Sequence, residues 1–210
     1  MERAVEIIKI LNKLRPNAKS ELTYASPLEF MIAVILSAQA TDKGVNKISP
    51  ALFERFRTVS DYANADVDEL SGYIKSINYY KTKARRIILA CKFLVANFEG
   101  KVPKNIDALV RIPGIARKSA NVISQEIFNS VEGIVVDTHI TRVSQRLGFT
   151  KSTDAIKIEK DLMATLPRKY WKDYGRQIVL HGRYICLAKN PKCRECPINK
   201  LCLTCCSVGY

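Results

Sequence analysis

Apolar residues recur at helical spacing along nearly the whole chain. Ala4, Val5, Ile8, Leu11 and Leu14 share one helical face, with Glu2, Arg3, Glu6, Lys9 and Lys13 mostly opposite. That division predicts an amphipathic helix lying against a core. Ser26-Pro27-Leu28-Glu29 reads as an N-cap, a proline in the first turn and a capping-box glutamate. Phe30 to Leu36 then runs without a polar break, so this second helix is expected to be buried on nearly all sides. Asp42, Asp66 and Thr138 are candidate caps for stretches carrying Val45, Ile48, Leu52 and Phe53, then Leu70, Tyr73 and Ile74, then Val143 and Leu147. Period-2 alternation is almost absent. Ile134-Val135-Val136 resembles a strand, but three residues without a partner make no sheet. The fold class is therefore all-α, with breaks at Thr23 to Ser26, at Phe98 to Val102 with its Gly100 stop, and at Pro113-Gly114.

The 210 residues allow one or two domains with a real core. Apolar residues at 47% and charged residues at 26% exclude collagen-like, mucin-like and disordered classes. The run Phe30 to Leu36 is too short to span a bilayer, and Met1 to Arg15 lacks the continuous apolar core of a signal peptide. These features point to the cytoplasm. Charge then selects a partner: 34 Lys and Arg against 20 Asp and Glu leave +14, and such a surface concentrates phosphates and gains from counterion release. Nucleic acid comes ahead of an acidic membrane surface, and the plain alternative is a solvated basic surface.

After Leu187, Lys, Pro and Cys accumulate and the apolar period stops. Cys186, Cys193, Cys196 and Cys202 place four thiols within 17 residues there. A segment without its own apolar face is ordered by cross-links or by metal, and a cytoplasmic address disfavours disulfides. Zinc sites usually pair two short C-x2-C hooks, whereas these four contain one. Cys196-Pro197 suits iron-sulfur ligation without matching ferredoxin spacings. Spacing favours iron-sulfur and leaves zinc open. Of the other three cysteines, Cys91 is expected in the core, and Cys205 and Cys206 as exposed, oxidisable thiols.

Two further stretches carry chemistry. Leu109 to Ile123 reads as a short helix, a tight Pro113-Gly114 turn and a helix opening at Ile115 or Ala116. Free N–H groups at that helix start, beside Arg117 and Lys118, suit a phosphate. An ordinary turn with two solvated cations is the plain reading. Asp137 leaves the apolar run Val135-Val136 and is either a helix N-cap or a partly buried catalytic acid. His139 and His181 are read as capping or packing residues.

Taken in order, these features resemble the endonuclease III family of DNA glycosylase and abasic-site lyases. The resemblance covers almost all of the chain. It rests on Leu36-Ser37-Ala38-Gln39-Ala40-Thr41-Asp42, on the Pro113 to Asn121 hairpin with Lys118, on Val136-Asp137-Thr138-His139, on Leu180-His181-Gly182-Arg183 and on the cysteine spacing. It implies two helical lobes: residues 22–132 with a helix-hairpin-helix, and residues 1–21 with 133–210 holding a [4Fe-4S] cluster on Cys186, Cys193, Cys196 and Cys202. It further implies a monomer that bends damaged duplex DNA across the groove between the lobes, with Lys118 and Asp137 at its mouth. The implied activity is removal of oxidised pyrimidines followed by cleavage 3′ to the abasic site, on nucleoid DNA. Lys118 would be the nucleophile, favoured as a neutral amine by Arg117 and desolvation, and Asp137 its electrostatic and acid/base partner. Gln39 and Tyr79 match the positions that fill the gap left by an extruded base. Gly114, Ala116 and Arg117 in the hairpin, and Lys189, Lys192 and Arg194 in the cysteine loop, would contact DNA.

The chain departs from the family pattern twice. Ala116 replaces the second hairpin glycine, where its methyl group could crowd a phosphate or oppose a positive φ. Asn78-Tyr79 replaces glycine followed by an aliphatic or aromatic residue, so Tyr79 is expected to stack on bases. Two other readings share the metal and the charge. An adenine-removing mismatch glycosylase lacks the hairpin lysine, and a non-catalytic iron-sulfur DNA-binding or redox-sensing module needs neither Lys118 nor Asp137. The presence of both residues favours a lyase.

Overall fold

The computed structural model describes residues 1–16 and 18–208, with side chains through Cys205. The described residues form twelve α-helices and no strand. The chain divides into two compact units, one from Ser20–Ser130 and one from Met1–Lys19 with Val131–Tyr210.

The contiguous unit holds α2 (Pro27–Ser37), α3 (Asp42–Arg55), α4 (Val59–Ala63), α5 (Val67–Tyr73), α6 (Tyr80–Phe98), α7 (Ile106–Leu109) and α8 (Arg117–Ile127). Helix α2 is its centre. Phe30 through Leu36 are all buried, and α3, α6 and α8 pack against them. Ser26 caps α2 by accepting from the Glu29 N–H at 3.2 Å, while Glu29 reaches one residue further back than expected, to the Ala25 N–H at 2.6 Å. Helix α6 ends where Glu99 and Gly100 both turn left-handed, at φ 51° and 75°. A Cβ on Gly100 would also meet Val59 Cγ1 at 2.8 Å, so this position needs glycine twice over. Cys91 lies in this core, as expected.

The second unit is assembled from both ends of the chain. It contains α1 (Glu2–Leu14), α9 (Thr138–Arg146), α10 (Ala155–Thr165), α11 (Trp171–Tyr184) and α12 (Leu203–Val208). Helix α1 buries Ala4, Ile7, Ile8 and Leu11, whereas Leu14 is 57% exposed. The buried stripe is therefore rotated toward Ile7 from the face read off the sequence. Polar bonds tie α1 down: Asn12 donates to Asp173 at 2.9 Å, and Gln177 donates to Asn12 Oδ1 at 2.9 Å and to the Arg15 carbonyl at 2.8 Å. Gly182 lets α11 approach α9, since a Cβ there would meet His139 Cβ at 3.0 Å.

One cap falls a residue before the expected Asp42, and at α9 the N-cap reading of Asp137 holds over that of Thr138. Thr41 caps α3 by accepting from the Gly44 N–H, and Asp137 caps α9 by accepting from the Ile140 N–H. In both places adjacent residues could cap, and the one whose oxygen reaches the N–H three residues on takes the role. Ile134 to Val136 has no strand partner.

Candidate nucleic-acid and metal sites

The hairpin lies in the contiguous unit. Gly114 makes the turn at φ 87°, with its Cα against Arg86 so that a Cβ would stand 3.3 Å from Arg86 Cβ. Helix α8 begins at Arg117, one or two residues later than expected, with Ala116 as its N-cap. Ala116 sits at φ −79° and ψ 164°, an extended conformation that any residue adopts, so glycine is not required there for the backbone. The expectation of a forbidden φ is thereby removed. Alanine offers no capping oxygen, and no side chain caps α8. The first-turn N–H groups of this helix therefore face the solvent side of an exposed stretch that includes Gly114, Ala116, Arg117 and Lys118. The Lys118 ammonium has neither hydrogen bond nor ion pair within the described residues. Lys118 is exposed.

Gln39 and Tyr79 are brought together in the same unit. Both are left-handed, at φ 54° and 59°, which is costly for residues with side chains. Asn78 Nδ2 donates to the Gln39 carbonyl at 3.1 Å, joining the two loops directly. Beneath them the Lys83 ammonium donates to the Leu36 and Ala38 carbonyls at 2.7 and 2.6 Å, closing the C-terminus of α2. Burial lowers the pKa of Lys83, with Arg86 acting in the same direction. Tyr79 is 66% exposed despite its size. The two strained residues are thus held by a polar frame, with an aromatic ring displayed to solvent.

Asp137 belongs to the other unit. Its Oδ1 accepts from the Ile140 N–H at 2.8 Å, and the half-buried carboxylate stands at the positive end of α9. The same helix anchors the cysteine-rich segment from its other end. Arg142 donates to the carbonyls of Gly182 at 2.8 Å and Cys186 at 3.0 Å. Arg146 donates to Cys186 Sγ at 3.2 Å, to the Leu187 carbonyl at 2.7 Å and to the Ala188 carbonyl at 3.1 Å. Arg3 adds the Leu201 carbonyl at 2.9 Å.

Cys186, Cys193, Cys196 and Cys202 line a cavity of about 210 Å³, together with Arg146, His181, Lys192, Ile198 and Cys205. None of the described cysteines is in a disulfide. His181 is buried, its Nε2 3.6 Å from Cys196 Sγ and its Nδ1 without a partner. Burial and the Arg15 charge push its pKa down to about 4, so the ring is neutral. Cys205 is 9% exposed and lies in this wall, which corrects the reading of an exposed thiol; Cys206 falls outside the described side chains. Lys189, Lys192 and Arg194 are exposed around the loop.

With this geometry in place, comparison with known proteins decides the family. A family described as the HhH-GPD superfamily of base excision DNA repair proteins matches residues 32–168. The chain is 44% identical to Endonuclease III of Synechocystis sp. over 201 residues, 96% of this chain and 92% of that one. It is 42% identical to Endonuclease III of Haemophilus influenzae over 95% of this chain and 94% of that one. The chain belongs to the endonuclease III family. Among solved structures, a trapped Endonuclease III–DNA covalent intermediate in an estranged-adenine complex aligns with TM-score 0.90 and 39% identity, covering 100% of this chain and 98% of that chain.

Sequence reasoning missed the framework residues of this endonuclease III family member. Arg142 and Arg146 are spaced by four on α9, on the turns that carry Val143 and Leu147. Two cations placed beside a buried stripe and ahead of a carbonyl-rich loop were the available signal. Asn78 and Lys83 gave none, because their partners are backbone carbonyls about 40 residues away in sequence.

Proposed function

We propose that the chain removes damaged bases from duplex DNA and then cleaves the abasic strand, using the Lys118 amine as nucleophile. The observation that carries this reading is the unpartnered, exposed lysine in the first turn of an uncapped hairpin helix, where backbone N–H groups can hold the phosphate next to the reacting sugar. Lys118 Nζ in its neutral form attacks C1′. The glycosidic bond breaks, and the base leaves with its electron pair and takes up a proton. Ring opening gives a Schiff base to C1′, which acidifies the C2′ hydrogen, and loss of that proton expels the 3′ phosphate by β-elimination. Asp137 stabilises positive charge developing on the sugar and assists the proton transfers. Gln39 and Tyr79 occupy the space the base vacates. Gly114, Ala116, Arg117, Lys189, Lys192 and Arg194 contact the backbone. Oxidised pyrimidines are the proposed substrates, and the protein works as a monomer on chromosomal DNA in the cytoplasm. No described helix is long and apolar enough to cross a membrane.

Cys186, Cys193, Cys196 and Cys202 would hold a [4Fe-4S] cluster. The fit is supported by the cavity they line. Thiols set around a volume suit a polynuclear centre. When bound, the cluster supplies cross-linking of the segment between Cys186 and Cys202, and Arg146 and His181 supply polar contacts to its ligands.

Borohydride trapping on duplexes bearing a single abasic site tests the enzymatic reading. The chain should form a trapped adduct, and Lys118→Ala should lose both adduct and strand cleavage while retaining DNA binding. A trapped adduct on the Lys118→Ala protein would assign the nucleophile to another amine. Absence of any adduct from the unaltered chain would favour a non-catalytic DNA-binding module.

A further inference from the structure

Five thiols, rather than four, border the cavity of the cysteine-rich segment. Cys205 is the fifth. Its side chain lines the same cavity as those of Cys186, Cys193, Cys196 and Cys202, with Cys193 first among the thiols that act on it electrostatically. Helix α12 produces this placement. Cys202 ends the loop and α12 begins at Leu203, so its first turn carries Cys205 back toward the cavity. Cys202-x2-Cys205 then repeats the spacing of Cys193-x2-Cys196. A buried cysteine can serve as a small apolar residue, as Cys91 does among Leu and Ile side chains. Cys205 differs from it because its neighbours are the proposed ligands.

Exposure separates Cys193 from Cys205. Cys193 sits in a 3-10 turn between the exposed side chains of Lys192 and Arg194, whereas Cys205 is covered. A partly exposed proposed ligand thus shares its cavity with a covered thiol.

We propose that Cys205 is a reserve ligand that can take over the iron held by Cys193. The inference rests on the iron-sulfur reading of the cavity. In the exchange the iron–sulfur bond to Cys193 breaks and one to Cys205 forms. Cys205 gives up its thiol proton and the released Cys193 sulfur takes one up. Iron and sulfide keep their oxidation states, so no oxidant or reductant is consumed. The chain thereby keeps four thiolate ligands after losing one.

The test measures iron and acid-labile sulfide per chain after anaerobic purification of the unaltered protein, Cys193→Ala, Cys205→Ala and the double variant. The unaltered protein and Cys205→Ala should carry a full complement. Cys193→Ala should keep most of its iron and sulfide, and the double variant should lose both. A Cys193→Ala protein as depleted as the double variant would overturn the proposal, and so would a double variant that stays loaded. An unaltered chain without iron or sulfide would bring down the iron-sulfur reading itself, a result separable from the other two. Should Cys193→Ala fail to accumulate, the same comparison with and without Cys205 is made on Cys193→Ser, which is closer in size and polarity.

Discussion

The two units are stabilised by different means. The unit from Ser20 to Ser130 is one stretch of chain around α2, and its core is a continuous apolar cluster from Leu22 to Ile123. The other joins residues from the two ends of the chain. Its apolar cluster draws on α1, α9, α10 and α11, but from the stretch between Leu187 and Leu203 only Ile198 is among its fully buried members. That stretch is held by Arg3, Arg142 and Arg146 on carbonyls and by cysteines around a cavity. Burial of apolar surface, at about 25 cal/mol per Å², stabilises the first unit throughout. On the iron-sulfur reading proposed above, the segment from 187 to 203 depends on its ligands.

Removing the proposed cluster should break the comparison most completely. Chelation, or Cys202→Ala, is expected to abolish hydrogen-exchange protection in peptides from 187 to 203 and to lower it in α9, while peptides from 20 to 130 keep theirs. Uniform loss across both units would show that they do not stand separately. Asp137→Asn comes next. Asparagine keeps an oxygen for the Ile140 N–H, so the melting temperature should hold while single-turnover base removal slows by a factor on the order of 10²–10⁴. Full activity would make Asp137 a cap alone.

Tyr79→Ala concerns the contiguous unit. Loss of a stacking ring should weaken binding to a lesion duplex by about 1–3 kcal/mol, measured by fluorescence titration, without altering fold stability. The remaining effect is confined to alkaline pH. Burial pushes the Cys91 thiol up to about 12 from 9.0, above its value in the unfolded chain. Its contribution to stability is therefore complete below pH 9 and is lost as pH rises toward 12. Buried Tyr62 is shifted upward as well, so its effect has the same sign. Cys91→Ala should reduce the loss of stability by about 1.4 kcal/mol per pH unit across that window, read from urea titrations at each pH. An unchanged slope would place the alkaline response elsewhere.

The sequence was most informative where one physical signal was uncontested. An unbroken apolar run behind Ser26-Pro27 left α2 no alternative to burial, and four spaced thiols marked a segment whose cysteines line one cavity. It was less informative where neighbours compete. Ile7 and Leu14 both fit a helical stripe beside Ile8 and Leu11, and only the packing partner decides between them. Thr41 with Asp42, and Asp137 with Thr138, offer adjacent capping oxygens. Cys205 was misread because its x2 spacing from Cys202 does not say which way the thiol faces until α12 turns it inward. The bonds from Asn78 and Lys83 to carbonyls follow from tertiary proximity, which no local pattern encodes.

Helix α9 gives the second unit an unusual economy of parts. Its nine residues span about 13 Å; Asp137 sits at one end, and Arg146, which grips Cys186 and the two carbonyls after it, sits at the other. The helix acts as a short rod with a carboxylate at its tip and the cysteine-rich segment as its footing. If that footing is the proposed cluster, a cell short of iron would show a repair defect before any amino acid had changed, because the rod would slacken while Lys118 stayed as it is.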